Sequence, residues 1–172
     1  ASDVYKRQLP NNGNIIMAAK QAAEVSDIPV GIVPTKTISQ GLTAMLSFDP
    51  DASVEENVEA MSEDLDTVKS GEVTKAIRDT KIDDIQVKKD DYLGIVDGTI
   101  KVDNPDLVDT TVSMIEKMLD EDSEIITIMY GSDATREEAD AVVKKLEASH
   151  DDLEFEIHDG GQPVYYFLVS VE

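Results

Sequence analysis

Short apolar runs that alternate with helical segments are the feature that most constrains the fold of this chain. Pro29–Val33 and Ile125–Tyr130 have the length and composition of buried strands. Each is followed within a few residues by a threonine, Thr37 or Thr135, that can cap a helix. This rhythm is typical of a layered α/β fold. We therefore predict an α/β domain with a mainly parallel sheet.

Helices are predicted where apolar residues recur at helical spacing behind a capping residue. They are Ile15–Val25 with Asn14 as the cap, Thr37–Phe48, Ser53–Lys69 with the capping box Ser53/Glu56, Asn104–Leu119 with Asn104 as the cap and Pro105 at the first helical position, and Thr135–Ser149 with the capping box Thr135/Glu138. Further strands are predicted over Glu72–Arg78, Leu153–His158 and Tyr165–Val171. Tyr92–Val96 and Thr99–Val102 form an antiparallel hairpin around Asp97-Gly98, which suits a type I′ turn. The polar stretch Asp79–Asp91 is predicted to be an exposed connection.

The first eight residues, Ala1–Gln8, fit neither the pattern that follows nor any turn signal. They are typical of a translated sequencing-adapter scar, and we expect them to be non-native and outside the fold. The domain is then 9–172. Because Leu9-Pro10 has the pattern of a strand end, we expect this domain to be N-terminally truncated.

The charge of the chain limits its partners. Thirty-seven Asp and Glu stand against fifteen Lys and Arg, for a formal net charge of −22. A field of this sign repels nucleic acids and anionic membrane surfaces and favours a basic protein partner, although solubility or a salty habitat would also explain it. There is no cysteine, no apolar run of membrane-spanning length and no signal-peptide pattern, so we expect a cytoplasmic location.

Two polar loops are candidate binding sites. Asn11, Asn12 and Asn14 lie between an expected strand end and a helix start, where free backbone N–H groups and a helix dipole can hold an anion or a carboxylate. A tight turn plus a helix cap is the alternative. The same context recurs one βα unit later, with side chains suited to a phosphate or an acidic group; these are Thr35, Lys36, Thr37 and Gln40. Successive parallel strands would place both loops at one edge of the sheet.

A third candidate is the segment Gly160, Gly161 and Gln162 near the C-terminus. Two glycines permit close approach of another backbone, and Gln162 offers a donor and an acceptor; a hairpin turn ended by Pro163 is the alternative. The two histidines, His150 and His158, lack metal-ligand spacing. We predict no catalytic residue and no metal site.

Several motifs in order resemble one family. They are Leu9–Ile16, Pro34–Thr37 followed by Gln40-Gly41, Gly71–Thr74 with Arg78-Asp79, and Gly160–Tyr165. Together they resemble the C-terminal domain of the large subunit of bacterial fatty acid kinase, a dihydroxyacetone-kinase-like protein whose last domain is similar to the DegV fatty-acid-binding fold.

The resemblance implies a DegV-like domain that docks the acyl-carrying, fatty-acid-binding small subunit, so that its fatty acid can be phosphorylated for phospholipid synthesis. ATP and magnesium would bind only to an N-terminal domain that is absent here, so the fragment itself would need no cofactor and would not be an enzyme on its own. The alternative is a domain that itself binds a fatty acid carboxylate or a phosphate, as DegV relatives do. A homodimer is a further option.

Overall fold

The computed structural model describes residues 5–63, 65–82 and 85–172. Its chain divides into two compact units, Ala1–Val68 and Lys69–Glu172. No sequence pattern had indicated this division. Within the first unit the elements are β1 (Lys6–Gln8), a 3₁₀ turn (Gly13–Ile15), α1 (Ile16–Glu24), β2 (Val30–Ile32), α2 (Ile38–Leu46) and α3 (Val54–Glu63).

The first unit is built on two parallel strands. β1 pairs with β2 in the register Lys6 to Val30, so both strands point toward the same edge. α3 packs closely on β2: the space at Gly31 is so small that an added Cβ atom would lie 2.5 Å from the Val58 side chain. A small apolar core closes this unit, with Val33, Ala44, Met61 and Leu65 buried.

β1 uses residues that were expected to lie outside the fold. Arg7, in its centre, donates a hydrogen bond from Nη2 to the Ala52 carbonyl at 3.1 Å. Its guanidinium also lies 5.0 Å from the centre of the Phe48 ring. The strand that we expected to end at Leu9-Pro10 therefore runs over Lys6–Gln8. The non-native origin of residues 1–8 stays a prediction.

The second unit contains a six-stranded sheet with two helices on one face. Its elements are β3 (Lys69–Lys75), β4 (Thr80–Ile82), β5 (Ile85–Val87), β6 (Tyr92–Val96), β7 (Thr99–Asn104), α4 (Leu107–Glu116), β8 (Ile125–Tyr130), α5 (Arg136–Glu147), β9 (Glu154–Asp159) and β10 (Phe167–Val171). The strand order is β7-β6-β3-β10-β8-β9, with β4 and β5 forming a separate two-stranded ribbon. β8 and β9 are parallel, and the other neighbouring pairs of the large sheet are antiparallel.

The core of the second unit lies between this sheet and helices α4 and α5. Met114 of α4 is fully buried and sits directly over the sheet. A Cβ at Gly71 would come within 2.6 Å of the Met114 side chain, and one at Gly94 within 2.9 Å. These two glycines let α4 approach the strands closely, and Gly71 and Val73 therefore face the helices.

The predicted α/β class is confirmed, but the sheet is mixed rather than mainly parallel. The last strand, β10, enters the middle of the sheet antiparallel to both of its neighbours. The Asp97-Gly98 hairpin is confirmed, with φ of +46° and +79° at its two turn residues. The prediction that Asp79–Asp91 is an exposed connection is wrong in part, because it contains β4 and β5, and Val87 is buried. Asp83 and Asp84 of this stretch lie outside the described residues.

Three of the predicted helix caps are confirmed. Thr37 Oγ1 accepts a hydrogen bond from the Gln40 N–H at 3.2 Å. Ser53 and Glu56 exchange the two hydrogen bonds of a capping box, at 2.9 and 3.2 Å. Thr135 and Glu138 form the same box at the start of α5.

Two predicted caps are wrong by two positions. Asn14 does not cap α1: Asn12 caps the preceding 3₁₀ turn, and its Oδ1 accepts from the Asn14 N–H at 2.9 Å. Asp106, not Asn104, caps α4, and Asn104 accepts from the Asp106 N–H. In both cases a short turn precedes the helix, and this turn moves the first free N–H groups along the chain.

Candidate binding site

The two polar loops meet in the first unit, as predicted. We call residues 9–14 the Asn loop and residues 33–37 the Thr loop. Each follows a strand of the parallel pair, so both lie at the same edge. The Asn11 N–H donates to Thr35 Oγ1 at 2.9 Å, and the Thr35 hydroxyl donates back to Asn11 Oδ1 at 2.7 Å. Thr35 is fully buried, so this pair holds the two loops together from the inside.

Asn11 adopts a backbone conformation that aims its side chain at α2. Its φ is +53°, in the left-handed region that asparagine tolerates better than most residues. Its carboxamide lies against Gly41, where any Cβ atom would overlap it. Gly41 of the predicted motif therefore makes room for Asn11.

Gln40 has a structural partner on each side of its amide. Its Oε1 accepts from the Lys36 N–H at 2.8 Å, and its Nε2 donates to the Leu65 carbonyl at 2.8 Å. Only 8% of Gln40 is exposed. Gln40 therefore links the Thr loop to the segment that follows α3.

The hydrogen bonds of the two loops bear on what they can bind. An anion cradle needs free N–H groups, but four of them already donate to side chains of this chain. They belong to Asn11, Asn14, Lys36 and Gln40. Asn12, Asn14 and Lys36 are exposed and remain available at the surface. A binding role for the two loops stays a prediction.

The glycine segment lies in the second unit and also has internal partners. Gln162 Nε2 donates to the Met129 carbonyl at 3.1 Å, and the Gln162 carbonyl accepts from the Ser132 N–H at 2.9 Å. Gly161 has a φ of +57°, so its lack of a side chain serves the turn. Gly160 donates to the Tyr130 carbonyl at 3.0 Å. These bonds fasten the segment to the end of β8.

An apolar surface on the first unit was not predicted from the sequence. Ile38, Leu42, Met45 and Leu46 are 41–83% exposed and lie on one face of α2, at the spacing i, i+4, i+7, i+8. We call these four residues the α2 ridge. In α1 and the turn before it, Met17 and Ile15 are also exposed, at 73% and 47%. The helical spacing of these residues is visible in the sequence, but the spacing alone does not tell an exposed apolar face from a buried one.

The stretch of sequence that contains the α2 ridge carries no net charge. Residues 9–48 contain two lysines, Lys20 and Lys36, and two carboxylates, Glu24 and Asp27. The chain as a whole has a net charge of −22. The α2 ridge therefore lies in a stretch that carries almost none of the excess negative charge.

Membrane spans and metal clusters are both missing from the described ranges. No helix there is long and apolar enough to cross a membrane. No group of three or more His, Cys, Asp or Glu side chains there is arranged to hold a metal ion.

Comparison with known sequences decides the family. Residues 8–172 match the family model of the FakA-like C-terminal domain of fatty acid kinase. The chain belongs to this family. The resemblance found in the motifs is confirmed, and the chain is a fatty acid kinase-related domain.

Curated relatives extend beyond the chain. Uncharacterised proteins of Staphylococcus aureus strains USA300 and MRSA252 are 43% and 42% identical to it over 164 residues. The match covers 95% of this chain and 30% of each relative. The chain thus spans about a third of the length of these proteins.

Solved structures of the DegV family share the fold. A DegV family protein from Eubacterium eligens loaded with heptadecanoic acid matches with a TM-score of 0.63 and 12% identity, over all of this chain and 74% of that one. The Streptococcus pneumoniae Fatty Acid Kinase (Fak) B3 protein loaded with linoleic acid matches with a TM-score of 0.61 and 12% identity, over 96% and 70% of the two chains. At this identity the likeness concerns the fold alone, and the DegV-like fold is confirmed.

Proposed function

We propose that this chain is the docking domain of a fatty acid kinase, and that it binds a DegV-type protein carrying a fatty acid. The observation that carries the proposal is the α2 ridge, four large apolar side chains exposed on one helix face. Exposed apolar patches of this kind mark interaction sites more often than chance positions do. A soluble protein partner is the occupant that a domain of a fatty acid kinase requires, because the fatty acid has to be presented to the kinase.

The charge supports a protein partner with a basic surface. A chain with a net charge of −22 attracts such a partner over roughly 8 Å at physiological ionic strength. The α2 ridge itself is neutral, so apolar contact there meets little charge desolvation. Steering by the acidic surface and contact through the ridge are therefore separable contributions.

A second candidate function is binding of a fatty acid by this chain itself. It is favoured by the DegV-type structures that contain heptadecanoic or linoleic acid. The internal hydrogen bonds of the Asn and Thr loops argue against it, because a carboxylate would have to displace them. Titration of the chain with oleic acid, followed by calorimetry, separates the two candidates.

The test of docking is a binding titration between this chain and the fatty-acid-loaded DegV-family proteins of the same organism. We expect binding, and we expect the double substitution Leu42→Gln with Leu46→Gln to weaken it at least tenfold. Ile125→Gln is the matched control, since Ile125 is also exposed, at 37%, but lies in the second unit. The association rate should fall as salt rises. If none of the DegV-family proteins binds, the docking function is refuted. If binding occurs but the ridge substitutions leave the affinity unchanged, the α2 ridge is not the docking surface.

The proposal assigns the ATP and magnesium chemistry to another part of the protein. The chain alone should then release no ADP from ATP when fatty acid and the DegV-type protein are added. Turnover above background would contradict a docking role.

A further inference from the structure

Glu72 occupies an unusual position in the middle of the six-stranded sheet. Gly71 and Val73 face α4 and α5, so Glu72 on β3 points to the opposite face. Its cross-strand neighbours there are apolar: Ile95 on β6 and Leu168 on β10. The side chain is partly buried, and no described residue forms a hydrogen bond or an ion pair with its carboxylate.

This unpaired carboxylate weakens the folded chain. Burial raises the pKa of Glu72 above its ordinary value, because water is removed from the charged form. Charges that are withdrawn from water are normally paired in proteins. A partly buried carboxylate without a partner is thus a feature that the fold alone does not explain.

Val164 is a strained residue whose carbonyl contacts the same face of β3 as Glu72. Its φ is +74°, a conformation that β-branched residues rarely adopt, and 66% of its surface is exposed. Thr74, on the same face of β3 as Glu72, fixes the backbone there by donating from Oγ1 to the Val164 carbonyl at 3.0 Å. Strain of this kind persists where surrounding contacts enforce it, and it concentrates at binding sites.

Tyr165 joins the two features. Burial first, and the negative charge of Glu72 second, raise the pKa of the Tyr165 phenol, so the phenol stays protonated near the carboxylate. The described residues around Glu72 therefore offer a carboxylate, an aromatic ring and an exposed apolar side chain. This combination suits a guanidinium group, which pairs with a carboxylate and stacks on an aromatic ring.

We propose that Glu72, Val164 and Tyr165, which we call the Glu72 corner, receive an arginine or lysine side chain of the protein partner. The inference rests on the docking function proposed above and names one contact that the partner makes. A basic side chain would supply the missing counter-charge of Glu72 and would contact Val164. The partner in the proposed docking function is a protein, so the occupant to which we commit is a basic side chain of that protein.

The test uses two substitutions that should improve the free chain and impair the complex. Glu72→Gln removes the unpaired charge, and Val164→Gly removes the backbone strain. We expect both variants to melt at the wild-type temperature or above it. We also expect each to bind the fatty-acid-loaded DegV-family protein at least tenfold more weakly than the wild-type chain. Asp90→Gly and Glu147→Gln are the matched controls, because Asp90 is exposed with a φ of +71° and Glu147 is exposed on α5.

The outcomes separate this inference from the function on which it rests. Loss of binding in both variants, with the controls unchanged, supports the Glu72 corner. Wild-type affinity in the Glu72→Gln variant overturns the corner while docking stands, whatever the Val164 variant does. Failure of the wild-type chain to bind any DegV-family protein overturns docking and the Glu72 corner together. If only the ridge variants bind with unchanged affinity, the ridge is not the contact, and the corner is still tested by its own two substitutions.

Discussion

Replacing Thr35 with valine tests whether the two polar loops are held together from the inside. Valine keeps the shape of threonine but removes the hydroxyl that accepts from the Asn11 N–H and donates to Asn11 Oδ1. Thr35 is fully buried, whereas Asn11 is partly exposed and can recover some hydration. The loss of one donor and one acceptor at such a place should cost about 2 kcal/mol.

Hydrogen exchange measured by mass spectrometry is the suitable assay, because it reports on peptides of the first unit separately. A cost of about 2 kcal/mol corresponds to roughly 30-fold faster exchange of the protected amides in β2 and α2. The exposed Thr99→Val variant is the control and should exchange at the wild-type rate. Combining Thr35→Val with Asn11→Gly, which keeps the positive φ, should add little further loss, since both changes remove the same pair.

The reasoning is refuted if Thr35→Val exchanges within twofold of wild type. That result would mean that the buried hydroxyl does not stabilise the fold. Thr35 and Asn11 would then be free for a ligand, as the sequence pattern predicts. Full additivity in the double variant would refute the pairing even if Thr35→Val alone were destabilising.

Four further predictions concern single substitutions. Met114→Ala should cost about 3 kcal/mol in urea denaturation, because this fully buried side chain fills the space over Gly71 and Gly94. The Glu72→Gln variant should be more stable than the wild-type chain at neutral pH. This stability difference should shrink as the pH falls through the raised pKa of Glu72 toward its ordinary value of 4.5, because a carboxyl whose pKa rises on folding destabilises the folded chain as the pH increases. Thermal melts at pH 4 to 8 measure the difference, and a constant difference would contradict the prediction. Lys36→Ala should leave the melting temperature unchanged and weaken binding of the DegV-family protein or of inorganic phosphate several-fold. Asn12→Ala should lower the free energy of unfolding by about 1 kcal/mol, because the cap of the 3₁₀ turn is lost. Thermal melts and binding titrations on each variant check both predictions.

Local signals predicted local structure well. The capping boxes at Ser53 and Thr135 and the Asp97-Gly98 turn each depend on residues within four positions of one another, so their pattern is complete in the sequence. The caps at Asn14 and Asn104 were wrong because a polar residue two positions away competes for the same N–H groups. Such competition is decided by backbone geometry that a sequence pattern does not contain.

Long-range pairing could not be predicted. β10 separates β3 from β8, and the chain gives no local sign that its last strand enters the sheet at the centre. A parallel sheet was expected because apolar runs alternate with helices, but the same alternation is compatible with antiparallel neighbours when a hairpin intervenes. The division into two units could not be predicted either, because no Pro- or Gly-rich linker lies at Val68-Lys69.

The candidate site was likewise predictable only in part. Parallel strands predicted that the Asn and Thr loops share one edge, and they do. The internal bonding of Asn11 to Thr35 depends on a left-handed asparagine, which no pattern announced. A strand was predicted from Glu72, and β3 indeed covers this residue, but nothing in the sequence indicated that this strand lies inside the sheet. The signal in the sequence was Glu72 itself, a carboxylate between Gly71 and Val73, which are both buried.

The outer strand of the sheet, β9, has a consequence for the protein at high concentration. As the last strand in the order, β9 presents backbone groups that a strand of another molecule could bind. Its exposed residues include Glu154, Glu156 and Asp159, so two such edges would bring carboxylates face to face. Charge repulsion between these carboxylates thus opposes edge-to-edge aggregation. Salt would screen this repulsion while leaving the apolar residues Phe155 and Ile157 in place, so concentrated samples should be kept at low ionic strength.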